Sequence, residues 1–143
     1  MQMTPMIAVH LTAALAALLV GPVALWARRG HTAGPTTHQR TRLHRAAGYA
    51  WVTLMLLTAL SALFIHDPAL PGLFGFSPIH LFVPLTLAGL VQAFRQLLRG
   101  NVAGHRKTML GLYLGACVGA GAFTLLPQRY LGQLVWGQWL GLL

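Results

Sequence analysis

Four histidines, His10, His44, His80 and His105, open four separate apolar stretches of membrane length. A neutral imidazole offers a nitrogen lone pair to a metal, and two rings from opposite sides fill the axial positions of a haem iron. An ionisable ring is costly inside a bilayer segment, so each of the four calls for a reason. Consecutive spans run in opposite directions, so the four starts fall on two levels. His10 and His80 belong near one membrane face, His44 and His105 near the other. Each pair is the ligand set of a six-coordinate haem, which makes these four the candidate metal and cofactor ligands.

Other residues fit that chemistry. His44–Arg45 and His105–Arg106 repeat one dipeptide, with Lys107 adding a further cation. Arg binds carboxylates through paired donors, so Arg45 and Arg106 are candidates for holding haem propionates. Ala13, Ala14 and Ala17 follow His10, and Ala47 and Gly48 follow His44, at spacings that share the ligand's helix face. Small side chains there would leave room for a macrocycle. A histidine near a span end also has a plainer use, bonding a lipid headgroup or a neighbouring carbonyl. His31 and His38 lie in a polar loop, and His66 stands beside Asp67.

Competing chemistries lack their residues. Asp67 is the only acid, so a paired-carboxylate hydrolytic site is excluded. No HExxH, Walker or GxGxxG pattern occurs. Cys117 lies in the middle of an apolar stretch, away from every histidine, and Met3, Met6 and His10 form only a loose soft-ligand set for copper.

The elements that position the histidines follow from hydropathy. Apolar residues make up 56% of the 143, the mean hydropathy is +0.64, and only 8% are charged. A soluble domain averages roughly 25% charged residues. The net charge of +9 could suggest nucleic acid, but its distribution argues for a membrane. The basic residues fall in two short connections, Arg28 to Arg45 and Arg95 to Lys107, with Arg129 apart. This is the positive-inside pattern, so both connections are expected in the cytoplasm and the N-terminus outside. The positive charges follow the first apolar run, so that run is read as a retained span and not a cleaved signal.

Spans are expected at about 5–27, 44–65, 77–98 and 107–126, within a single membrane domain, 1–143. Each is long enough at about 1.5 Å per residue to cross a core of roughly 30 Å. Helices are the fold that satisfies the backbone there, since no alternating strand pattern occurs. The expected fold is all-α: an integral membrane four-helix bundle, with 127–143 as a C-terminal interfacial helix carrying Tyr130, Trp136 and Trp139. Arg28 to Leu43 and Arg99 to Gly104 read as connections. Pro22 and Pro84 fall inside spans and are expected to kink them. Gly111, Gly115 and Gly119 form a small-residue ladder suited to close helix packing or a flat cofactor.

Several stretches resemble a family of predicted bacterial membrane proteins, domain of unknown function 2306. They are Val9–His10–Leu11, Leu43 to Tyr49, Phe76 to Leu81, Gly104 to Met109 and Phe123 to Pro127. The histidine layout is also similar to the four-helix core of the ascorbate-reducible two-haem cytochromes b. That likeness implies an outer haem on His10 and His80 and an inner one on His44 and His105. It departs in lacking flanking helices, and in placing His44 and His105 nearer the rim.

The expected function is a b-type, cytochrome-like protein of the bacterial inner membrane, multi-pass, with one or two haems b. It would carry electrons from a quinol or another redox partner across the bilayer, without nucleic acid. The alternatives are a non-catalytic accessory or assembly subunit, and a haem-free quinone-binding protein.

Overall fold

The computed structural model describes residues 4–27, 37–65, 78–127 and 130–141. Helix α1 runs from Pro5 to Trp26, capped by the Thr4 hydroxyl, which accepts from the Ile7 N–H at 3.3 Å. Pro5 takes the first position, where its missing N–H costs nothing. Helix α2 covers Thr37–Ala62. A 3-10 turn, Pro78–Leu81, leads into α3, Phe82–Leu98. Helix α4, Val102–Leu112, passes into a π-helical segment, Tyr113–Gly119, and then α5, Ala120–Thr124. A last turn, α6 (Tyr130–Gly132), continues into a second π segment, Gln133–Trp139.

Packing closes a ring. Helix α1 lies on α2, α2 on α3, α3 on α4, and the π segment after α4 returns to α1. Helices α1 and α3 are therefore diagonal, as are α2 and α4. The central cluster takes residues from α1 to α4: Ala17, Trp51 and Met55, Leu90, and Leu112. Gly21 lets the ring close at this level, because a Cβ there would stand 2.5 Å from the Tyr113 ring and 3.1 Å from Trp51 Nε1. Gly89 does the same for α3 and α4, where a Cβ would meet Leu112 at 2.6 Å.

The two helix prolines behave differently. Pro22 lies inside α1 and has no N–H, so the carbonyl four residues earlier, Leu18, loses its intrahelical donor. The Tyr113 hydroxyl replaces it, donating to Leu18 O at 3.1 Å. Pro84 instead sits in the first turn of α3, where an N–H is expendable. It therefore starts the helix and does not kink its middle.

Among the described residues, all regular structure is helical. Helix α1 is the one described helix that is by itself long and apolar enough to cross a membrane; α3 is apolar but shorter. Helix α2 is longer still, but its first turns carry Arg40, Arg42 and Arg45. Two expected boundaries are corrected. Residues 37–43, read as connection, are helical, so α2 starts well before His44. The turn between α3 and α4 shrinks to Arg99–Asn101, with Gly100 at φ 72° and Asn101 capping the Gly104 N–H at 2.8 Å. Polar, basic sequence continued the helices where hydropathy stopped reporting them.

The tail contains helical turns, as expected, and folds back on α5: Trp136 Nε1–H donates to Leu125 O at 2.7 Å. Gly132 is required there, since any Cβ would run into the Leu126 carbonyl.

Candidate histidine site

His10, His44 and His105 use the same bond. The Nδ1–H of His10 donates to Thr58 O at 2.9 Å, with Ser61 Oγ at 3.1 Å from the same nitrogen. His44 donates from Nδ1 to Ala24 O at 2.9 Å, and His105 from Nδ1 to Ala93 O at 2.9 Å. A carbonyl oxygen only accepts, so each bond puts the proton on Nδ1. In the neutral ring Nε2 then carries the lone pair, the tautomer found in metal-ligating histidines oriented by a carbonyl. Each bond crosses between helices, so each ring is wedged between two of them. His80 is buried in the 3-10 turn, 9% exposed.

Register sets the levels. His10 meets the C-terminal part of α2, and His44 meets the last turn of α1, so these two helices are antiparallel. His105 bonds Ala93, and Gly89 faces Leu112, so α3 and α4 are antiparallel too. Tyr113 bonds Leu18 while Cys117 Sγ lies 3.3 Å from Met55 Sδ, which aligns α4 with α2. His10 and His80 thus share one end on diagonal helices, and His44 and His105 share the other. Along α2, the fourteen residues from His44 to Thr58 separate the levels by about 21 Å at helical rise.

Arg45 and Arg106 are exposed at the His44 and His105 end. The small residues around the ligands divide. Ala13, Ala17 and Ala47 are buried where the helices pack, and Ala14 is half-buried. Gly48, one turn after His44, does have open space where its Cβ would be. The Gly111, Gly115 and Gly119 ladder is exposed, so it packs no neighbouring helix here. His31, His66, Asp67 and Met3 lie outside the described residues, as does the side chain of His38. Among the described residues, no three His, Cys, Asp or Glu side chains gather into a metal cluster.

Sequence reasoning missed the carbonyl partners, because a main-chain acceptor carries no sequence signal. It also missed Trp51, which lies seven residues from both His44 and Thr58 and so on one face of α2. That spacing was visible but reads equally well as ordinary core.

The outward faces are apolar. Leu19 is 73% exposed, Leu81 72% and Leu98 87%, while ring nitrogens and carbonyls pair between the helices. Ring-to-carbonyl bonds between the helices and large aliphatics facing outward fit an all-helical protein of the membrane class. The chain belongs to the family described as predicted membrane protein, domain of unknown function 2306 (DUF2306), which it matches over residues 7–135. No curated protein and no solved structure matches it.

Proposed function

We propose that α1, α2, the turn with α3, and α4 through α5 each cross the bacterial inner membrane, forming a multi-pass four-helix bundle with the N-terminus outside. In this reading the protein holds one or two haems b through His10 with His80 and His44 with His105, and carries electrons across the membrane. Haem supplies the one-electron chemistry, and the chain supplies ligation, orientation and a low-dielectric surrounding. The observation that carries the reading is the set of three Nδ1–H bonds to main-chain carbonyls. It prepares Nε2 of His10, His44 and His105 as a lone-pair donor before any ligand arrives. Arg45 and Arg106 stand at the inner end, where propionates would find a guanidinium.

The same bonds also suffice as clasps between helices, which favours the accessory-subunit reading if no chromophore is held. The test is the absorption spectrum of full-length protein purified in detergent and titrated with haem. A six-coordinate Soret band that weakens in His80→Ala supports the proposal. Protein that stays colourless after haem addition rejects it, and stoichiometric quinone in the extract would support the haem-free quinone site instead.

A further inference from the structure

We infer that the outward-facing cleft between α2 and α3 is a binding site for one anionic phospholipid of the cytoplasmic leaflet. The inference rests on the bilayer placement proposed above and not on haem. The cleft holds about 360 Å³, within the roughly 300–1,000 Å³ of ligand pockets. Val52 and Leu56 line it from α2, and Leu87, Val91 and Phe94 from α3, with Arg95 as the one charged side chain of the lining. Val91 is 58% exposed and Phe94 37%, so the cleft opens outward, with Leu90 of the central cluster also in its lining.

Its dimensions match half a bilayer. From Leu87 to Leu98 the lining runs about 16 Å along α3 at helical rise, and half of a roughly 30 Å core is about 15 Å. An acyl chain lying there would begin near the midplane and reach Arg95 about 12 Å along α3, one turn before the lining ends at Leu98. The charge of that end is one-sided. Arg99 follows Arg95 by one helical turn, and Arg45 lies seven residues before Val52 on the same face of α2. All three arginines are exposed, and the chain's single acid, Asp67, falls in the sequence between α2 and α3, at their opposite ends. An apolar cleft with Arg95 in its lining, and Arg99 and Arg45 near that end in sequence, selects a molecule that is apolar along its length and negative at its tip. Basic pockets between membrane helices on the cytoplasmic side bind anionic headgroups for this reason. A quinone has the apolar length but no negative tip.

The full chain would be reconstituted into vesicles of equal phosphatidylglycerol and phosphatidylcholine with identical acyl chains. After mild detergent extraction, native mass spectrometry would count the lipid retained per chain. Preferential retention of one phosphatidylglycerol is expected. Arg95→Gln should lower that retention about fivefold, the effect of removing one cation near an anionic surface. Val91→Trp, which fills the cleft, should lower retention of both lipids. Both side chains are exposed, and helicity by circular dichroism checks that the fold is kept. Equal retention of the two lipids by wild-type protein would overturn the inference without any variant, as would a retained quinone in place of lipid. Protein that carbonate washes from the membrane would instead sink the bilayer placement.

Discussion

His44, on α2, donates its Nδ1–H to the carbonyl oxygen of Ala24, in the last turn of α1, at 2.9 Å. Carbonyls in a last helical turn have no intrahelical donor, so this imidazole closes the end of its neighbour. His105 also donates from Nδ1 to a carbonyl, that of Ala93, between α4 and α3, although Ala93 lies before the last turn of its helix. A ring with one nitrogen committed in this way has only the other left for chemistry.

The two nitrogens can be separated by substitution. Asparagine offers an amide N–H near the Nδ1 position and nothing at Nε2. His105→Asn should therefore keep most of the clasp and lose haem retention in the inner pair. His105→Ala should lose both, with a stability cost of about 0.5–1.5 kcal/mol for the bond. Thermal unfolding and the Soret band, read on the same samples, check this. Equal behaviour of the two variants in both readouts would contradict the division of roles.

Tyr113 and Pro22 should be coupled. Tyr113→Phe leaves the Leu18 carbonyl without a donor and is expected to cost about 1–3 kcal/mol. Pro22→Ala returns an N–H to that carbonyl, so Tyr113→Phe should cost much less in the Pro22→Ala background. A double-mutant cycle on unfolding free energy measures this; strict additivity would mean that the hydroxyl is not the replacement donor.

Two glycines in helices should respond oppositely. Gly21→Ala forces a methyl against the Tyr113 ring and Trp51, an overpacking worth about 1–3 kcal/mol. Gly111→Ala meets nothing within 4 Å and should be neutral or stabilising by up to about 1 kcal/mol through helix propensity. Midpoints of thermal unfolding in one detergent distinguish them.

Topology is open to a direct reading. Alkaline phosphatase fused after Ile65 should be active, because that end of α2 faces outward in the proposed orientation. Fused after Gly100, between α3 and α4, it should be inactive. Activity at both points would remove the third span.

Hydropathy and charge alone determined that the chain is helical, that it is a membrane protein and that His10, His44, His80 and His105 fall on two levels. Those properties follow from local composition and from the alternation of antiparallel helices, both written linearly in the residues. The ends of α2 and α4 were not legible, because arginines and polar residues extend a helix without adding to its apolar signal. Only the tertiary structure decided what the histidines hold. Thr58, Ala24 and Ala93 accept through main-chain oxygens that every residue type possesses, so no sequence pattern could single them out. It likewise decided that Ala13 and Ala17 fill a helix contact while Gly111 and Gly115 face outward. Smallness permits close approach, but only the position of the neighbouring helix determines whether anything approaches.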